Sequence, residues 1–167
     1  ERRKALLHVA GGSSAKGTAA VLEAMRMLPD LPLTLISSRP IASPPENVTV
    51  LGRQDAAELK RLMNEHAVHV CPSSYEGFGH YINEARSVGA VIVSTAAAPM
   101  DELVCGEYGL LAGVASRGWQ NLATHSHVDP EALAKCMQSA MACPLPLLVE
   151  LGTHAREQYL KDGAAFE

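Results

Sequence analysis

No stretch of the 167 residues approaches the roughly 18 to 20 uninterrupted apolar positions of a membrane span. The longest candidate, VGAVIVSTAAAPM (88–100), is broken by polar residues and by Pro99, so nothing in the chain is expected to cross a bilayer. There is no excess of Pro, Gly or charge of the kind that keeps a chain disordered, no internal repeat and no low-complexity segment. Lys plus Arg total 14 against 18 Asp plus Glu, a net charge of -4, and the only basic cluster is the terminal ERRK. Non-specific nucleic-acid binding is therefore not expected. The four cysteines, Cys71, Cys105, Cys136 and Cys143, form no Cys-x-x-Cys pair, which removes the usual zinc and redox patterns and points to buried thiols in a reducing, cytoplasmic setting. The N-terminus, ERRKALLHVA, has no initiating Met and an apolar run too short for a signal peptide; it reads as a cut just upstream of a strand, so the chain is expected to be a piece of something longer.

What is present is enough apolar material, 47%, for one well-buried domain, and the length is too short for two ordinary ones. Short apolar runs recur at 5–10, 32–37, 48–51, 67–72, 90–95 and 109–114, with amphipathic segments between them. The spacing predicts helices over about 17–28, 55–67, 79–88, 129–141 and 146–161. Asp129 followed by Pro130 reads as an N-cap and first helical position, Gly89 as a helix stop, and Gly163 as the residue after the last helix. Strands alternating with helices imply an α/β fold with parallel pairing, a Rossmann-like doubly wound sheet of about six strands. The stretch ASRGWQNLATHSHV (115–128) reads as a loop. Such a sheet binds ligands beyond the carboxyl ends of its strands, so function is expected in GGSSAKG, SSRPIASPPEN, SSYEGFG and AAAPMDE.

Two of these loops share a design. HVAGGSSAKGT (8–18) runs from a strand into a turn of small residues, with Lys16 and Gly17 at the mouth of a helix. It offers backbone N–H groups, with Gly12 and Ser13 in the turn and Lys16 as a point charge, which suits a phosphate. The order Lys-Gly-Thr rules out a Walker A loop, and Gly-x-Gly-x-x-Gly is absent too; a plain strand-to-helix turn stands as the alternative. SSYEGFGHYINEA (73–85) repeats the arrangement, with Gly77 and Gly79 leaving the backbone bare at a helix start, Glu76 in the loop and Glu84 about a turn and a half inside the helix. Carboxylates flanking a phosphate would repel it unless each were occupied by something else, and a pair of sugar hydroxyls is the economical occupant. A nucleotide sugar has that layout. The bland alternative makes Glu76 a helix cap and Glu84 a solvated face residue.

Taken together, GGSSAKGT, HVCPSSYEGFGHYINEARSVGAVIVST and APMDELV followed by YGLLAGV resemble the C-terminal, donor-binding domain of retaining GT-B glycosyltransferases, specifically glycosyltransferase family 4 (group 1). The resemblance covers about residues 8–114, with looser agreement at DPEALA and AREQYLKD. It implies that residues 1–167 are one nucleotide-sugar-binding domain, one GT-B half, whose N-terminal acceptor domain lies outside the chain. It implies further that Glu76 contacts the transferred sugar and Lys16 neutralises the phosphates, these two being the catalytic candidates. Gly77, Phe78, Gly79 and His80 would face the diphosphate, Glu84 would hold the ribose, and the base would lie near Ser37–Pro40 and Gly52–Arg53. The donor would be a UDP-, GDP- or ADP-sugar, with no further cofactor. Front-side displacement with retention would need no metal, and no Asp-x-Asp occurs in the sequence. The histidines of HSH (125–127) and HAVH (66–69) are expected to be incidental. A full-length enzyme would be cytoplasmic, with membrane association left open.

Two departures stand against the family pattern. An Arg commonly precedes the Lys by about five residues, and here that region reads AGGSS (10–14), so that either Arg39, Arg53 or the reach of Lys16 compensates or donor binding is weaker. Leu and Pro commonly follow Glu-Gly-Phe-Gly, where this chain has His80 and Tyr81. A GT-B sugar-nucleotide epimerase and a non-catalytic nucleotide-sugar-binding domain remain as alternatives.

Overall fold

The computed structural model describes residues 1–120 and 123–164. Six strands, β1 (Arg3–Gly11), β2 (Leu33–Ser37), β3 (Val48–Leu51), β4 (His66–Cys71), β5 (Val91–Thr95) and β6 (Gly109–Ala112), form one sheet in the order β3-β2-β1-β4-β5-β6. All five pairings are parallel. This is the Rossmann-like α/β sheet expected from the recurring apolar runs, and its strand order reverses between β1 and β4, where a crevice opens at the carboxyl edge.

The central strands are apolar on both sides because both faces are covered: every residue of β4 and β5 is buried. Leu6 packs in one cluster with Val21, Ala24 and Met25 of helix α1 (Thr18–Arg26) and Leu133, Met137 and Ala140 of α5 (Pro130–Ala142). Its neighbour Leu7 points the other way, against Leu62 and Met63 of α2 (Ala56–Glu65). On that second face, Tyr81, Ile82 and Ala85 of α3 (His80–Ser87) pack with Met100 of α4 (Met100–Leu103) and Ala155 of α6 (Leu145–Ala164). One face thus carries α1 and α5, the other α2, α3, α4 and most of α6.

Local signals account for most boundaries. Asp55 and Asp129 cap α2 and α5 by accepting from the backbone N–H of Glu58 and Ala132, each bond satisfying one of the orphan donors of a helix start. The helix α3 stops before Gly89, as its position suggested. Two expectations are corrected. Helix α6 runs through Gly163 to Ala164, because its last two turns are held by contacts on α3: buried Arg86 bonds Asp162, which also accepts from Gln158 at 2.7 Å. A glycine near the end of a helix costs about 1 kcal/mol relative to Ala and does not by itself end the helix.

The second correction concerns 115–128. In place of a loop the structure has an antiparallel hairpin, β7 (Val114–Gln120) and β8 (Ala123–Val128), with Arg117 opposite Ser126 and Trp119 opposite Thr124. The expectation failed because the segment lacks the apolar alternation of a core strand. Its anchors are backbone bonds instead: Ser126 N–H donates to the carbonyl of Ser74 and Asp129 N–H to that of Gly113, both at 2.8 Å. Among the described residues no single helix is long and apolar enough to cross a membrane.

Candidate functional site

Both glycine turns sit at the carboxyl edge beside the point where strand order reverses. After β1, the chain passes through Gly12 and Ser13, makes one 3-10 turn over Ser14–Lys16, and enters α1 at Gly17, φ +72°. After β4, it passes through Pro72 to Phe78 and enters α3 at Gly79, φ +65°. Each helix starts from a left-handed glycine that offers no side chain as a cap, so the first-turn N–H groups of both are left without an internal partner. The bland role for Glu76, capping α3, is therefore not the one it has.

Glu76 instead meets Lys16. The Lys16 ammonium lies 2.6 Å from Glu76 Oε1, with the Glu76 side chain 8% and the Lys16 side chain 21% exposed. The Ser73 hydroxyl donates to the same oxygen at 2.5 Å. With Oε1 taken twice, Oε2 is the acceptor left for anything arriving from outside. Deleting one member of so enclosed a pair would leave the other poorly solvated, at a cost of up to about 3 kcal/mol. Glu84, the fifth residue of α3, is exposed on the same helix, and His80, its first residue, is exposed with its ring 6.0 Å from that of Phe78. Gly77 has open space around it and Phe78 is 85% exposed. Gly12 and Ser13 are exposed in the first turn, where the Ser13 hydroxyl accepts from Ala15 N–H. The structure therefore pairs Lys16 with Glu76 across the two turns, with Gly77, Phe78, Gly79 and His80 following Glu76 into α3 and Glu84 further along that helix.

The two turns are joined. Ser74 N–H donates to the Ala15 carbonyl at 2.8 Å, and Gly17 lies so close to the Pro72 carbonyl that a Cβ would run into it. Beneath them lies a buried polar network that sequence reasoning missed. His8, wholly buried, places Nδ1 2.7 Å from the Val70 carbonyl, which requires a proton there, so Nε2 is the acceptor for the Thr18 hydroxyl at 3.0 Å. The Tyr81 hydroxyl donates to the Val70 carbonyl at 2.8 Å, accepts from Val9 N–H at 3.2 Å and lies 2.9 Å from His8 Nδ1. Burial, aided by nearby Lys16, pushes His8 down to about 4, while burial pushes Cys71 up to about 12 and Tyr81 well above its ordinary value. The layer under the turns is thus neutral at physiological pH, and the charges stand above it. His8 inside an apolar run was the only visible signal.

The residues assigned to base recognition divide. Ser37, Arg39 and Pro40 line a cleft of about 540 Å³ on the α1 and α5 face, together with Gly11, Thr18 and His127. Gly52 and Arg53 are exposed after β3 and do not line it. Arg39 is exposed, its N–H bonded to Ser37 Oγ at 3.1 Å. His66 and His69 are buried, bonded to the carbonyls of Leu62 and Met63 at 2.7 and 3.0 Å. His125 has a role the sequence did not suggest: its ring stacks on Tyr75 at 5.4 Å and its Nδ1 lies 3.3 Å from Ser74 Oγ, seating the hairpin on the Glu76 loop. Among the described residues no three His, Cys, Asp or Glu side chains gather as a metal-ligand set.

Comparison with known proteins agrees with this fold. The sequence model of the family described as glycosyl transferases group 1 matches residues 1–158. Among solved structures, the sucrose-phosphate synthase of Thermosynechococcus elongatus superposes with a TM-score of 0.74 at 25% identity, over 95% of this chain and 41% of that one. WaaG, a glycosyltransferase involved in lipopolysaccharide biosynthesis, gives a TM-score of 0.68 at 16% identity, over 95% and 43%. The C-terminal domain of a glycosyl transferase group 1 family protein, LpcC, from Francisella tularensis gives 0.67 at 17% identity, over 93% and 84%. The chain spans about two fifths of the length of the first and second of these. No curated protein matches it.

Proposed function

The chain belongs to the glycosyl transferases group 1 family, and from that premise we propose that it is the donor-binding half of a retaining GT-B glycosyltransferase of family 4, holding a UDP-, GDP- or ADP-sugar. The observation that carries the reading is the Lys16–Glu76 pair, 2.6 Å apart, beside the bare N-terminus of α3 with Glu84 further along the same helix. A fold without this function has no need of a buried carboxylate paired to a lysine from the neighbouring turn just before an uncapped helix. The diphosphate sits over the unpaired N–H groups of α3, where the helix dipole favours negative charge. The transferred sugar takes Glu76 Oε2, the ribose takes Glu84, and Lys16 supplies the cation.

Transfer then proceeds on one face of the sugar. The bond from the anomeric carbon to the diphosphate oxygen breaks, the acceptor oxygen bonds to that carbon from the same side, and the acceptor proton passes to the departing phosphate. The protein contributes positioning and stabilisation of charge on the leaving group, with no metal required. The acceptor belongs to the rest of the protein, so this chain alone binds the donor and transfers little.

The test is a thermal-shift and calorimetric survey of UDP, GDP, ADP and their sugars against the chain, since specific binding stabilises the fold. One nucleotide class binds saturably, and Glu84→Ala and Lys16→Ala each weaken it about tenfold, as expected for loss of a charge-assisted contact. Absence of binding by every nucleotide in the panel would overturn the reading.

A further inference from the structure

Tyr81 stands where the family pattern commonly has Pro, and its ring lies under Lys16, with the ammonium 4.6 Å from the ring centroid. The ring is fixed. Its hydroxyl is bound by Val9 N–H, the Val70 carbonyl and His8 Nδ1, and only 6% of the residue is exposed. Lys16, by contrast, ends a single 3-10 turn and has a flexible stem of four carbons. Two contacts hold its head: Glu76 Oε1 and the face of this ring.

These contacts differ in what a ligand does to them. Glu76 is shared with Ser73, and a phosphate that draws on the donors of Lys16 competes directly with it. The ring competes for no hydrogen bond. It attracts the ammonium through its quadrupole alone and goes on doing so while the donors of Lys16 turn from Glu76 to a phosphate. With AGGSS where the family's Arg commonly falls, Lys16 is the cation whose placement matters most.

We propose that Tyr81 is a positioning residue for Lys16: its ring, locked from below by His8, Val9 and Val70, holds the ammonium beside Glu76 and at the mouth of α3 through donor binding. This rests on the donor-binding reading for its consequence, but not for the contact itself.

Side-chain NMR of the chain separates the two. In the unsubstituted protein the Lys16 Cε methylene protons, assigned through Lys16→Arg, are shifted upfield by the ring beneath them. Tyr81→Leu returns them to the ordinary lysine position and weakens binding of whichever of UDP, GDP or ADP binds, by about tenfold. Tyr81→Phe restores the ring, the shift and most of the affinity, although loss of the hydroxyl lowers its melting temperature. Ordinary Lys16 shifts in the unsubstituted protein would overturn the proposal even if Tyr81→Leu fails to fold. So would affinities that follow melting temperature alone, with Phe and Leu equally impaired. If no nucleoside diphosphate binds the unsubstituted chain, the donor reading fails, and the Lys16 shifts still decide whether the ring holds the ammonium.

Discussion

The turns into α1 and α3 are local twins with opposite surroundings. Each runs from a buried strand through small residues to a left-handed glycine and an uncapped helix. At the first, one side of the turn is packed and the other lines the cleft: Gly17 abuts the Pro72 carbonyl, Ala15 accepts from Ser74, and Thr18 is tied to His8, while Ser13 and Ser14 face the open space. At the second, the loop begins buried at Ser73 and Glu76 and ends open, with Gly77 free of neighbours and Phe78 in solvent. The first turn is braced by the second loop and borders the cleft, whereas the second ends in solvent. The glycine pattern marks an uncapped helix end, while tertiary contact decides whether that end is available.

The sharpest way to break this contrast is to put a methyl on each N-cap glycine. Gly17→Ala combines a left-handed backbone, costing about 1–2 kcal/mol for a residue with a Cβ, with a collision against a backbone oxygen that has no rotamer to move into. A loss of at least about 3 kcal/mol is expected, a fall in melting temperature on the order of 10 °C for a chain of this size. Gly79→Ala has the same backbone problem, but its Cβ meets only the end of the Leu103 side chain, which can move. Its loss should stay near 1–2 kcal/mol. Urea unfolding of the two variants checks the order; equal losses would mean that the turns are not differently supported.

Acid should act on the closed turn. His8 and His69 are buried, with folded values of about 4 and about 3 against an ordinary 6.5. Between those values the unfolded chain binds the protons and the folded chain does not, so stability is full above about pH 6.5 and is lost as pH falls. The slope is about 1.4 kcal/mol per pH unit for each histidine, or about 2 kcal/mol each by pH 5. Urea midpoints measured from pH 7 to pH 4.5 should trace this decline. A flat profile would show that these rings titrate normally, His8 beneath the first turn and His69 against the end of α2 alike.

A smaller effect separates charge from scaffold at the open turn. Glu76→Gln keeps an oxygen for Lys16 and Ser73 but removes the negative charge, and should cost about 1–2 kcal/mol of stability. Lys16 is thereby released toward an anion, so a bare nucleoside diphosphate should bind at least as well as before, while the added affinity due to the sugar disappears. Calorimetry with nucleotide and nucleotide sugar side by side measures that difference. Equal losses for both would place Glu76 in the scaffold and not against the sugar.

How much of this could be read from the sequence follows the range of the forces. The six strands announce themselves through local apolar runs, and the start of α5 at Asp129 through a cap three residues from its target, followed by Pro130. Lys16 and Glu76 were visible as candidates because their motifs resemble a known family, though their pairing across 60 residues is a property of the fold. The hairpin was not visible, because Ser126 and Asp129 bind backbone and so leave no hydrophobic signature. The network of His8, Thr18, Val70 and Tyr81 was not visible either. Its members lie up to 73 residues apart, and each is unremarkable in its own segment.

The gentlest substitution tests the contrast most selectively. Gly77 lies in the loop before α3 with nothing within 4 Å of a Cβ built on it, so Gly77→Ala meets neither the strain nor the collision that burdens Gly17→Ala. Stability should change by no more than about 0.5 kcal/mol. The added methyl nevertheless occupies space at the mouth of α3, where a diphosphate must approach the backbone closely to reach the unpaired N–H groups. Affinity for the nucleoside diphosphate should therefore fall about tenfold while the melting temperature of the free chain stays in place, the reverse of what Gly17→Ala would do, since a Cβ there runs into the Pro72 carbonyl. If Gly77→Ala binds as tightly as the unsubstituted chain, the open space at the second turn is only surface, and the diphosphate does not approach the backbone there.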